Sequence, residues 1–155
     1  MKFIRKFIHR FAPLVFGEVT AFGGFFFYGL VLLFTLSIGL FDLFILLLFG
    51  FVVSALLTIL VRTFYFKERP NKVEYSNYLE KIDSSSFPSL HTGRIFYLSF
   101  VISYFFQNTY LTALMIFLAV ITAYSRVSLK RHDYYDLTGG FVLAIVCFGL
   151  SLVIF

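Results

Sequence analysis

Three short polar segments hold most of the residues in this sequence that could carry out chemistry. They read RTFYFKERP at 62–70, FPSLHT at 87–92 and SRVSLKRHDYYD at 125–136. Arginine presents a planar fork of donors that suits the oxygens of a phosphate, and histidine can transfer a proton or attack phosphorus. These residue types indicate phosphoryl transfer, in which several fixed cations stabilise the charge on the transferred group.

His132 and Asp136 form the most specific pair in these segments. They are separated by one helical turn, so on a helix both side chains lie on the same face. A carboxylate beside an imidazole fixes its tautomer and stabilises its charged form, which makes His132 a candidate nucleophile or base. His91, from the second segment, is a candidate general acid, and a helix that starts near Pro88 would offer free amides to an anion.

The elements that must position these segments are membrane helices. Of the 155 residues, 60% are hydrophobic and 14% are charged, against roughly 45–50% and about 25% in soluble globular chains. This composition excludes a disordered chain, a disulfide-framed domain and a soluble nucleic-acid-binding protein, and it leaves the single Cys147 as a packing residue. The net charge of +5 is therefore assigned to lipid headgroups or an anionic substrate.

Hydropathy predicts an all-α membrane bundle of about five transmembrane helices, in a single domain over 1–155. A spanning helix needs about 20 apolar residues. In residues 1–12, apolar residues recur at helical spacing and basic residues take the opposite face. This pattern predicts an amphipathic helix in the headgroup plane, with a signal peptide as the alternative. The predicted spans are 14–37, 42–62, 88–107, 110–127 and 134–155.

Five spans in this order bring the polar segments together. The N-terminal arm and the loops at 63–87 and 126–133 fall on one side of the membrane, with all thirteen Lys and Arg residues. The turns at 37–42 and 107–109 fall on the other side. Polar groups that converge at one face of an apolar bundle predict a functional site, whereas a plain preference of cations for one face is the alternative explanation.

The three segments resemble the motifs of the type 2 phosphatidic acid phosphatase superfamily, which includes membrane lipid phosphatases and soluble acid phosphatases. The family pattern is Lys-x6-Arg-Pro, then Pro-Ser-Gly-His, then Ser-Arg-x5-His-x3-Asp. The third motif is complete at 125–136. The first has Arg62 in place of Lys, which keeps the charge but changes the reach and geometry of the donors.

The second motif has Leu90 in place of the family glycine. A leucine would be strained there if the backbone needed a positive φ, and it would be harmless at an ordinary helix start. We expect the ordinary helix start.

The resemblance implies a metal-independent lipid phosphate phosphatase with no cofactor, and the polar loops offer no convincing carboxylate cluster for Mg²⁺. It implies that His132 forms a phosphohistidine, that Asp136 orients it, and that His91 protonates the leaving oxygen and then activates water. The implied phosphate ligands are Arg62, Arg69, Ser89 and Arg126. Further candidates for a headgroup or a second phosphate are Lys67, Arg94, Lys130 and Arg131.

The expected partners are the lipid bilayer and a lipid phosphate, for example lipid A 1-phosphate or phosphatidylglycerophosphate, with no nucleic acid. The additional cations favour a substrate with more negative charge than phosphatidic acid. An undecaprenyl pyrophosphate phosphatase and a lipid phosphotransferase are alternatives with the same chemistry. A non-enzymatic anionic-lipid-binding protein would keep the arginines but would have no use for the pair of His132 and Asp136. The sequence leaves the oligomeric state open.

The expected location is a bacterial-type inner membrane, and two arguments on orientation conflict. The positive-inside rule places the cationic face in the cytoplasm. The resemblance favours the outer face, where many bacterial phosphatases of this family hold their site. Several of the cations would serve to bind phosphate, which weakens the charge rule. Because the expected substrates are presented on the outer face, we expect the site on the outer, periplasmic face.

Overall fold

The structure is a computed structural model that describes residues 13–155. The predicted amphipathic arm at 1–12 lies outside the described residues. Every regular element in the described part of the chain is helical. The elements are α1 (13–19), a 3-10 turn (Thr20–Gly23), α2 (Phe25–Ser37), α3 (Phe41–Phe64), α4 (Tyr78–Ser84), α5 (Leu90–Phe106), α6 (Thr109–Ser128) and α7 (Tyr134–Ile154).

Three of these helices, α3, α6 and α7, are long and apolar enough to cross a membrane. A fourth span results if Pro13–Gly23 and α2, which meet at a bend of 47°, cross together. Large apolar side chains on these helices are exposed, as expected of a surface that faces lipid. The protein is therefore an integral membrane protein, and the count of five spans stays a prediction.

The centre of the bundle is α5, which contacts α3, α6, α7 and the 3-10 turn. With 17 residues it is shorter than the three candidate spans. Four polar side chains in its first ten residues, Thr92, Arg94, Tyr97 and Ser99, are buried against neighbouring elements rather than exposed to lipid. The hydroxyl of Tyr97, for example, donates to the carbonyl of Leu46 on α3 at 2.7 Å. Internal hydrogen bonds of this kind allow a helix with many polar residues to lie inside an apolar bundle.

Glycines set how closely the neighbours approach α5. An added Cβ on Gly50 of α3 would overlap the ring of Tyr97. An added Cβ on Gly140 of α7 would overlap the carbonyl oxygen of Ser89, at the start of α5. At Gly140, the backbone of α7 therefore packs directly against the backbone at the start of α5.

One end of the bundle collects the ends of four helices. Both α3 and α6 finish there, and both α5 and α7 begin there. The three polar segments predicted to carry chemistry therefore lie at the same end. The short turns after α2 and α5 lie at the opposite end.

Replacing Gly140 with alanine is expected to destabilise the protein by roughly 1–3 kcal/mol, because the new methyl group meets backbone atoms that cannot rotate away. Thermal unfolding in detergent measures the loss. Gly149, in the same helix, has nothing within 4 Å of an added Cβ and provides the matched control. Its replacement by alanine is expected to leave Tm unchanged or to raise it. An unchanged Tm for Gly140→Ala would contradict the backbone contact described here.

Candidate active site

His132 is held in the loop between α6 and α7, with 3% of its surface exposed. Its backbone amide donates to the carbonyl of Arg126 at 3.2 Å, which folds the loop back onto the end of α6. Its Nδ1 atom lies 3.4 Å from Oδ2 of Asp136, slightly beyond an ordinary hydrogen bond. Because Nδ1 faces the carboxylate, Nε2 is the ring nitrogen that is left to react.

Asp136 lies in the first turn of α7 and is fully buried. Its Oδ1 atom accepts hydrogen bonds from the ammonium group of Lys67 at 2.8 Å and from the hydroxyl of Ser86 at 3.2 Å. Its Oδ2 atom accepts the amide of Asp133, and the carboxylate of Asp133 accepts the amide of Asp136 in return, which makes a capping box. A buried carboxylate with this many donors is fixed in position.

The three arginines predicted to bind phosphate are each anchored through terminal nitrogens of the guanidinium. Arg62 donates from Nη2 to the carbonyl of Pro88 at 3.0 Å and from Nη1 to carbonyls of α4, and Arg69 also donates to a carbonyl of α4. Arg126 donates to the hydroxyl of Thr20 at 2.8 Å. The Nε atom of each is buried and has no hydrogen-bond partner among the described residues. Buried, anchored and unpaired donors suit an anion such as phosphate.

The start of α5 brings the other two predicted residues, Ser89 and His91, to the same place. The backbone amide of Ser89 donates to the carbonyl of Asp136 at 3.0 Å, which ties α5 to α7. Its hydroxyl caps α5 by accepting from the hydroxyl and the amide of Thr92. His91 follows in the first turn of α5 and interacts electrostatically with Arg126 and His132.

Leu90 is an ordinary first residue of α5. Among the described residues other than glycine, a positive φ occurs at Gln107 and Lys130 and not at Leu90. The expectation of an unstrained helix start at this position is confirmed. The substitution of leucine for the family glycine therefore leaves the cap by Ser89 intact.

Burial lowers the pKa of His132, and although Asp136 acts in the opposite direction, the charges of Arg126 and Arg69 add to the lowering. The imidazole therefore stays neutral to a lower pH than that of a free histidine. A neutral imidazole with a carboxylate behind it has the lone pair that a nucleophile needs.

A comparison with protein families matches residues 43–155 to the PAP2 superfamily. The chain belongs to this superfamily. The match confirms the family and the enzyme class, a lipid phosphatase, that the three motifs predicted.

Among solved structures, this PAP2 member is similar to the crystal structure of Aquifex aeolicus LpxE, with a TM-score of 0.77 and 23% sequence identity. The alignment covers 92% of this chain and 86% of that chain. At this level of identity the likeness establishes a shared fold. A comparison with curated proteins gives no match.

Two of the four cations expected near a headgroup have partners inside the protein in this PAP2 member. The ammonium group of Lys67 contacts Asp133 at 2.6 Å as well as Asp136, so it faces carboxylates rather than open space. Arg94 is 8% exposed, and its guanidinium carbon lies 4.8 Å from the centre of the Phe51 ring. Neither environment could be predicted from the sequence, because both depend on how separate segments meet in the fold.

The other two cations, Lys130 and Arg131, are exposed in the loop that leads to His132. This position agrees with contact to a headgroup. In the described residues, no group of three His, Cys, Asp or Glu side chains is arranged to hold a metal ion.

Three residues of the site escaped sequence reasoning. Asp133 could have been found, because an N-cap carboxylate three residues before Asp136 at the start of an apolar run is a capping signal. Ser86 and Thr20 gave no signal, since their partners lie 50 and 106 residues away along the chain.

The acidic limb of the pH profile of kcat/KM is expected to lie below about pH 6.5, the value for a free histidine, because burial lowers the pKa of His132. On the acidic side of the profile, activity falls as the imidazole of His132 takes up a proton. The profile is measured with two lipid phosphates whose phosphate groups ionise at different pH. A limb that stays at the same pH with both substrates reports a group of the enzyme rather than the substrate. A limb above about pH 6.5 with both substrates would contradict the assignment.

Proposed function

We propose that this PAP2 member hydrolyses a lipid phosphate without a metal ion, through a phosphohistidine formed on His132. The proposal is carried by the buried imidazole of His132 beside Asp136, among guanidinium groups with unpaired buried donors. An anion-binding protein would need the arginines. It would have no use for an imidazole oriented by a carboxylate, whereas a nucleophile requires that arrangement.

In the first step, Nε2 of His132 attacks phosphorus. The bond from nitrogen to phosphorus forms while the bond from phosphorus to the lipid oxygen breaks, and His91 donates a proton to that oxygen. Asp136 accepts a hydrogen bond from Nδ1–H and stabilises the positive charge that the ring gains on phosphorylation. The three arginines stabilise the charge on the equatorial oxygens of the transferred group.

Water completes the reaction in the second step. His91, which has lost its proton, takes one from water as the water oxygen attacks phosphorus. The bond to Nε2 breaks, inorganic phosphate leaves, and His132 returns to its neutral form. The same two histidines therefore serve both steps, and the balance of protons requires no further group.

The proposed substrate carries more negative charge than phosphatidic acid does. Lys130 and Arg131 lie exposed beside the buried site, where a headgroup at the membrane surface would lie. Lipid A 1-phosphate and phosphatidylglycerophosphate meet this requirement. Hydrolysis of undecaprenyl pyrophosphate, or transfer of the phosphoryl group to a second lipid, would use the same residues.

Release of inorganic phosphate in detergent tests the proposal. With EDTA present, the purified protein is expected to hydrolyse lipid A, phosphatidylglycerophosphate or undecaprenyl pyrophosphate faster than phosphatidic acid. Vanadate is expected to inhibit, because its adduct with His132 mimics the transition state. Activity that is lost in EDTA and returns with Mg²⁺ would reject the mechanism, and a clear preference for phosphatidic acid would reject the substrate class.

Variants of His132 and Asp136, measured in the same assay, test their roles as nucleophile and orienting group. His132→Ala is expected to lower kcat by about four orders of magnitude or more, whereas Asp136→Asn is expected to be milder because an orienting group is partly dispensable. Lys72→Met removes an exposed cation paired with Glu68 and is the matched control. A folded His132→Ala protein that keeps more than about one hundredth of the wild-type rate would rule out the nucleophile assignment.

The site is proposed to face the periplasm, where the expected substrates are presented. On a Cys147→Ser background, Glu74→Cys places a thiol at the exposed loop of the site end, and Asp42→Cys places one at the opposite end. An impermeant maleimide is expected to label Glu74→Cys in spheroplasts and Asp42→Cys only after lysis. The reverse pattern would place the site in the cytoplasm and favour the positive-inside rule.

A further inference from the structure

Lys67 lies at a position that the first family motif leaves variable, yet its ammonium group reaches the site. The Nζ atom lies 2.6 Å from Oδ2 of Asp133 and 2.8 Å from Oδ1 of Asp136. It also lies 5.0 Å from the centre of the Tyr135 ring, within the range of a cation–π contact. One cation from the loop after α3 therefore joins the N-cap and the first turn of α7.

The two oxygens of Asp136 have separate partners. Oδ1 accepts hydrogen bonds from Lys67 and from the hydroxyl of Ser86. Oδ2 accepts the amide of Asp133 and faces Nδ1 of His132. The bonds to Oδ1 therefore decide the angle at which Oδ2 is presented to the imidazole.

Lys67 also sets how strongly Asp136 acts on His132. Partial desolvation lowers the pKa of Lys67, but its hydrogen bonds to Asp133 and Asp136 outweigh this effect and the pKa is raised. The ammonium group therefore keeps its charge throughout the pH range in which a histidine titrates. Its charge offsets part of the negative charge of Asp136 and weakens the attraction of that carboxylate for an imidazolium.

We propose that Lys67 is a positioning residue of the phosphatase site, which holds Asp136 by Oδ1 and limits the charge that Asp136 exerts on the imidazole of His132. The chain Lys67–Asp136–His132 then replaces the headgroup contact that the sequence suggested for Lys67. The inference rests on the proposed function, because it takes His132 as the nucleophile.

The other charged groups around His132 come from every element packed against it. They are Asp136 on α7, Arg126 on α6, His91 on α5 and Arg69 in the loop after α3. A substitution of Lys67 leaves these four residues unchanged. A change in the titration of His132 in such a variant therefore reports the influence of Lys67 through Asp136.

Lys67→Met removes the charge and keeps the length of the side chain, and Lys67→Arg keeps the charge. Lys67→Met is expected to lower kcat by roughly tenfold or more, because small misplacements of an orienting group are costly. It is also expected to move the acidic limb of kcat/KM to higher pH by about one unit, since the ammonium no longer opposes the imidazolium. Lys67→Arg is expected to restore the wild-type limb, and Lys72→Met, in the same loop, to leave it unchanged.

An acidic limb that stays at the wild-type pH in Lys67→Met overturns the inference even if the rate falls, because a purely structural role lowers the rate without moving the limb. NMR titration of the three histidines, with His132→Ala for assignment, gives the same readout without turnover. Lys67→Gln takes the place of Lys67→Met if that protein is not monodisperse. If the wild-type protein releases no phosphate from any lipid, the proposed function fails, while the titration still decides the role of Lys67.

Discussion

A buried carboxylate holds the polar end of this bundle together. Asp136 has no exposed surface, and a charged group in such a place is tolerated only when donors surround it. The donors come from Lys67 in the loop after α3, from Ser86 before α5 and from the N-cap of α7. Its backbone carbonyl accepts the amide of Ser89 as well. Satisfying one charge therefore fixes three segments against each other, and the reactive imidazole is oriented by the same group.

Three arginines lie around this carboxylate, and its single negative charge cannot offset all of their positive charge. Arg62 and Arg69 belong to the first polar segment and Arg126 to the third, and each is anchored through part of its guanidinium to an oxygen of the chain. Like charges held close together in a partly desolvated place are unfavourable in the absence of a counter-ion. The arrangement is therefore matched to a ligand that brings negative charge, and it needs little reorganisation when charge develops during the reaction.

The sequence could predict which residues meet because the order of apolar segments determines which helix ends lie together. The motif residues fall within about a turn of those ends, so alternation of direction was enough to collect them. Lys67 could not be placed in this way, and Arg69 was placed only by the resemblance to the family motif, because both lie in a loop whose path follows no periodic pattern. The bend between Gly23 and α2 was missed for a related reason, since hydropathy measures length and apolarity but not direction.

The central helix α5 is screened from lipid by its neighbours, and this has a consequence for biosynthesis. A charged residue disfavours insertion of an isolated helix, by about 2.5–3.5 kcal/mol at the helix centre and by less near an end, where Arg94 lies in α5. The segment therefore gains less by entering the bilayer alone than its neighbours do, and its place there depends on the helices that pack around it. We expect α5 to enter the membrane together with α6, its neighbour in sequence and in space, rather than as an isolated helix.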